Sequence, residues 1–152
     1  MSALTDDRLQ SLAHDWANGT ATLKDLRGYS EQELYSIARI AYVYFHEGRL
    51  EDARVLFQGL AAVDPLDRYF AGALAVVELA AGSSEAAVAA WGAAIELAPD
   101  DPSGWLGRAE VWISSGDELR AAEDLQRARS LAPHNHPLRR KIDALLRAVT
   151  RP

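Results

Sequence analysis

The sequence predicts an all-α protein, and three observations carry that reading. One eighteen-residue pattern appears three times at a fixed interval of 34: GRLEDARVLFQGLAAVDP (48–65), GSSEAAVAAWGAAIELAP (82–99) and GDELRAAEDLQRARSLAP (116–133). Small and large residues recur at matched places inside it. Helix-starting and helix-ending residues bracket each copy.

A period of 34 residues is the signature of the tetratricopeptide repeat, a helix–turn–helix unit. Ala41, Ala75 and Ala109 match in the first helix of each unit, and Ala53, Ala87 and Ala121 match in the second. Phe57, Trp91 and Leu125 follow four places later. Small residues let two helices approach closely, and the large ones fill the space beside them. Gly48, Gly82 and Gly116 stand at the turns between helices, a position suited to positive φ. Pro65, Pro99 and Pro133 close each unit, because proline cannot continue a helix.

The helix starts are equally explicit. Ser30-Glu31-Gln32-Glu33 is a capping box, and Asp101-Pro102 is an N-cap followed by proline at the first helical position. Helix pairs are therefore expected at 31–47 and 50–63, 67–81 and 84–97, and 102–115 and 118–131. The organisation that follows is an N-terminal helical extension (1–30), three repeats (31–65, 66–99 and 100–133) and a C-terminal capping helix (134–152). Stacked units build a right-handed superhelix with a concave groove.

Both flanks read as helices. Residues 4–17 place Leu9, Leu12, Ala13 and Trp16 on one face, with Thr5 as cap, Asp6 and Asp7 at the positive end, and Leu4 stapling to Leu9. This helix caps the open end of the stack, or else Leu9, Leu12 and Trp16 make a homodimer contact or a lid over the groove. At the other end Pro137 opens a helix with Leu138, Ile142, Leu145, Leu146 and Val149 on one side.

Composition excludes several classes of function. A chain of 152 residues suits one domain or a short repeat array, and a net charge of −6 argues against general nucleic-acid binding. With no cysteine there is no disulfide frame, thiolate nucleophile or Cys-based zinc site. The acidic start MSALTDDRLQ is no secretory signal, and apolar runs of about ten residues are too short to insert in a membrane. A cytoplasmic location is the expectation, so Asn18-Gly19-Thr20 reads as a chance glycosylation match. There is no phosphate-binding loop and no His-Glu-x-x-His. His134-Asn135-His136 reads as a solvated connection, the paired acids as helix starts, and Arg139-Arg140-Lys141 as the wet side of the last helix. No catalytic residue, metal site or cofactor is expected.

The face of each first helix turned from its partner helices lines the concave side. It carries Tyr35, Ala38, Tyr42 and Phe45, then Tyr69, Gly72, Ala73, Val76 and Leu79, then Ser103, Leu106, Glu110 and Ile113. An apolar groove rimmed by charge marks a peptide-binding surface. Burial under the flanking helices is the competing reading, and it is preferred for Tyr44 and Phe70. Repeats that clasp a C-terminal carboxylate need cations on this face, yet Ala38, Tyr42, Ala73, Ser103 and Gly107 stand there.

The segments GTATLKDLRGYSEQELYSIA, GRLEDARVLFQGLAAVDPLDRYFAGALA and RAEVWISSGDELRAAEDLQRA add a more specific signal. Across residues 19–132 the chain resembles the class II chaperones of bacterial type III secretion. That resemblance implies a Gly-Thr turn and short helix ahead of the repeats, and no enzymatic activity. It also implies two cytoplasmic clients, a major and a minor hydrophobic translocator, each presenting a short extended segment to the groove. The matching positions are Tyr42, Phe45, Tyr69, Ala73 and Val76, with Asp64 and Asp67 nearby. Ser84 stands where the family has an aromatic, so client identity does not transfer. The alternative is a general tetratricopeptide adaptor with another protein partner.

Overall fold

The computed structural model describes residues 6–151. Its helices are α1 (Asp6–Ala17), α2 (Leu23–Arg27), α3 (Glu31–His46), α4 (Leu50–Val63), α5 (Arg68–Ala80), α6 (Ser84–Leu97), α7 (Pro102–Ser114), α8 (Glu118–Leu131) and α9 (Arg139–Val149). No strand occurs among the described residues. The three expected pairs are α3/α4, α5/α6 and α7/α8, each within one residue of its predicted bounds. The expected Thr5 cap and the Leu4–Leu9 staple lie outside the described residues, as does the side chain of Leu9.

Each pair turns in the same way. Gly48, Gly82 and Gly116 have φ of +76°, +83° and +77°. Their amides donate to the carbonyls of Phe45, Leu79 and Ile113, and the next amides donate to Tyr44, Glu78 and Trp112 at 2.8–2.9 Å. This double closure satisfies the carbonyls left open at a helix end, and it requires left-handed backbone where only glycine is unstrained. The starts are capped as the residues predict. Ser30 accepts from the Glu33 amide at 3.2 Å while Glu33 accepts from Ser30 at 2.8 Å, and Asp101 accepts from Ser103 at 2.9 Å.

The six matched alanines are fully enclosed. Around them lie two apolar clusters. One joins repeats one and two through Leu34, Phe57, Leu60, Phe70 and Val77; the other joins repeat three to α9 through Leu106, Leu125, Ala128 and Ile142. Phe70 is buried and Tyr44 packs against the first cluster, in line with their assignment to the core.

The last helix begins at Arg139, two residues later than Pro137. A tight turn precedes it: the Arg139 amide donates to the His136 carbonyl, and His136 Nδ1 accepts from the Leu138 amide at 3.1 Å. His136 is thus occupied in capping. Arg139, expected on the wet side, is largely covered; it donates to Asp143 at 3.0 Å and to the Ala132 carbonyl at 2.7 Å. No helix among the described residues is long and apolar enough to cross a membrane.

Candidate binding groove

The first helices of the three repeats face a groove of about 450 Å³. Tyr42 and Phe45 of α3 and Tyr69, Ala73 and Val76 of α5 form one wall; Ser103 and Gly104 of α7 form the other. Phe57, Val77, Trp91 and Ala94 close it from behind. Tyr42 is 53% exposed, and Tyr69 and Val76 are each 44% exposed, so half of each side chain faces solvent. Phe45 and Ala73 are half-buried against the core. The five groove residues singled out from the sequence therefore meet in one cavity.

Neither of the two aspartates expected nearby lines the cavity itself. Asp64 is buried and lies 2.6 Å from Lys24 Nζ of α2. The bond to Asp64 raises the Lys24 pKa above its usual 10.5 despite partial desolvation. Asp64 thus anchors α2 against the end of α4 and does not line the groove. Asp67 is held on both oxygens: it accepts from the Tyr69 amide and from the Tyr35 hydroxyl, each at 2.8 Å. That hydroxyl bond, with burial added, pushes the Tyr35 phenol up to about 12. Tyr35 also stacks on Tyr69 and Phe70, at ring distances of 5.5 and 5.3 Å. Asp67 therefore ties α3 to α5 at the groove rim.

Two charged residues complete the site. Arg68 lines the groove and pairs with Asp101, the cap of α7. Burial pushes the Asp101 carboxyl up, but bonds from Ser103 and the Arg68 guanidinium outweigh this and hold it below the usual carboxylate range.

Three positions expected on the concave face are buried, Ala38, Gly72 and Leu106, of which Gly72 still lines the cavity. At Gly72 the cause is Trp91, which stands between α5 and α7. A Cβ on Gly107 would come within 2.3 Å of its indole, and one on Gly72 within 3.1 Å. The ring therefore rests on helix backbone and becomes part of the groove floor. From the sequence Trp91 was expected only as filler between helices. The signal for its larger role was the glycines at 72 and 107, which weaken helix interiors by about 0.5–1 kcal/mol each and need a reason to be there.

The N-terminal helix takes no part in this groove among its described residues. Leu12 is half-buried, and Trp16 lines a separate cleft of about 220 Å³ with Ala62, Pro65 and Leu66. Nor does α1 close the open end of the stack, since Ile37, Ile40 and Val43 on the outer face of α3 remain exposed. The described residues hold no cluster of three or more potential metal ligands.

The family model of the tetratricopeptide repeat matches residues 38–102 and 73–136. The chain belongs to the tetratricopeptide repeat family. Among curated proteins no sequence matches it significantly. Solved structures do. PcrH from Pseudomonas aeruginosa is 27% identical, with a TM-score of 0.76 over 83% of this chain and 98% of that one. PcrH holding the chaperone-binding region of PopD is 26% identical, with a TM-score of 0.74 over 81% and 95%. The Yersinia enterocolitica type III secretion translocator chaperone SycD is 24% identical, with a TM-score of 0.79 over 84% and 98%. This tetratricopeptide protein thus has the fold of the translocator chaperones, as its sequence resemblance implied.

Proposed function

We propose that this protein is a type III secretion chaperone, not an enzyme, which binds hydrophobic translocators through an extended segment in the concave groove. The observation that carries the reading is the open apolar wall of Tyr42, Phe45, Tyr69, Ala73 and Val76. It occurs in a fold shared with PcrH, whose complex holds the chaperone-binding region of PopD. A surface of this kind is costly to leave in water and gains by covering apolar anchors. The acidic body, net −6, keeps the complex dispersed. Ordering an extended peptide offsets part of the gain, so affinity for the isolated segment is expected on the order of micromolar.

Co-expression with candidate translocators, followed by pull-down, tests this reading. Wild-type protein is expected to recover soluble client, while folded Tyr42→Glu/Tyr69→Glu leaves it insoluble. Equal recovery with both proteins removes these residues from the site. Recovery of no translocator transfers the groove to a general adaptor role. Self-association belongs to the same proposal: α3 leaves Ile37, Ile40 and Val43 open, and sedimentation of the intact chain reads whether a second copy covers them.

A further inference from the structure

Counted by the 34-residue period, the concave face continues past the third repeat. One period after Ser103, Leu106, Glu110 and Ile113 come Pro137, Arg140, Ala144 and Arg147. The apolar face of α9 packs on α7 and α8 through Ile142, as the first helix of a fourth repeat would. On the groove side Lys141 of α9 meets Glu110 of α7. The face left uncovered presents Arg140, Ala144, Arg147 and Ala148, with Arg151 just past the helix end. Arginines at 140 and 147 stand on one helical face, two turns apart, with only alanine methyls between them.

These arginines lack the partners that their neighbours have. Arg129 and Arg139 pair with Asp143, and Lys141 pairs with Glu110. Among the described residues no carboxylate lies within ion-pair distance of Arg140, Arg147 or Arg151. The helix itself does not account for them all. Arg147 and Arg151 suit the negative end of α9, but Arg140 sits in its first turn, where the helix dipole disfavours a cation. The local balance is also reversed: residues 116–152 hold eight Lys and Arg against five Asp and Glu in a chain of net −6.

We propose that the groove takes a bipartite segment: apolar anchors against Tyr42, Tyr69 and Val76, then acidic residues against Arg140, Arg147 and Arg151. The proposal deepens the chaperone reading and rests on it only in placing a peptide in the groove. Helices pack 8–10 Å apart, so α9 lies roughly 20 Å beyond α5, and an extended chain crosses that gap in about six residues. The acids are therefore expected about six residues from the central anchor. Charge at one end also sets the direction in which the segment lies, which apolar anchors alone specify poorly.

Selection of random displayed peptides on the intact protein tests this without knowledge of the client. The expected winners carry apolar anchors followed by Asp or Glu at that spacing. Synthetic copies are expected to bind Arg140→Ala/Arg147→Ala/Arg151→Ala about tenfold more weakly at low salt, with a flattened salt dependence. Winners that need Tyr42 and Tyr69 but show no acidic preference overturn the bipartite segment and leave the chaperone reading standing. Winners indifferent to Tyr42→Glu/Tyr69→Glu overturn both. Stripe-dependent capture of phosphatidylserine vesicles, without acidic peptides among the winners, assigns the arginines to a lipid surface and overturns the proposal.

Discussion

At the scale of single residues, glycine divides into two kinds that the sequence writes identically. Gly107 and Gly72 lie in helix interiors because Trp91 occupies the space a Cβ would need. Gly59, in α4, has nothing within 4 Å of the same position. Gly59→Ala is therefore expected to stabilise the protein by about 0.5–1 kcal/mol through backbone entropy and helix propensity. Gly107→Ala is expected to destabilise it by about 1–3 kcal/mol, since the indole must move. Urea denaturation of the two variants checks the pair, and a stabilised Gly107→Ala would show that Trp91 is not seated there. Asp64 teaches the same lesson. The family resemblance grouped it with Asp67, yet one is buried on Lys24 and the other holds two helices at the rim. Lys24 of α2 holds the Asp64 carboxylate inward, whereas the Tyr35 hydroxyl and the Tyr69 amide fix that of Asp67.

At the scale of elements, side-chain bonds join helices that lie far apart in the chain. Tyr35–Asp67 links α3 to α5, Arg68–Asp101 links α5 to α7, and Lys24–Asp64 holds α2 to α4. Two of these links lose their strength in alkali. The Tyr35 pKa rises from 10.0 to about 12 and that of Lys24 rises above 10.5 on folding. A group whose pKa is raised by folding contributes stability below its unfolded value and loses it as pH climbs through the folded one. The midpoint of thermal unfolding is therefore expected to fall between about pH 10 and pH 12. Tyr35→Phe and Lys24→Met should each flatten that fall; a Tyr35→Phe curve parallel to wild type would remove Asp67 as its cause. At neutral pH Lys24→Met leaves the Asp64 carboxylate buried without its cation, a loss of about 2 kcal/mol. The helix pairs and their caps were legible in the sequence because caps, glycines and prolines act within a few residues. These cross-helix bonds were not, because each joins side chains 32–40 positions apart.

At the scale of the molecule the two ends of the stack differ. The C-terminal end is closed by α9, whose Ile142 is fully enclosed within the cluster built by repeat three. The N-terminal end leaves the outer face of α3 open. Ile142→Ala is accordingly expected to cost about 2–5 kcal/mol, while Ile40→Ala, half in solvent already, should cost less than about 1 kcal/mol. Thermal melts of the two variants decide this. Equal losses would mean that a partner or a second copy covers α3 in solution.

By itself the sequence determined the repeat, its three helix pairs, the enclosed alanines and the five residues that meet in the groove. The repeat, the helix pairs and the alanines follow from a period, since a period of 34 places equivalent residues on equivalent faces; the five groove residues were singled out on that face by the family resemblance. Only the tertiary structure decided that Trp91 forms part of the floor, that Asp64 is turned inward, and that α9 packs on the third repeat through Ile142. Those outcomes depend on how closely one unit packs on the next. That distance is set jointly by side chains from several repeats, and no single stretch of the chain encodes it.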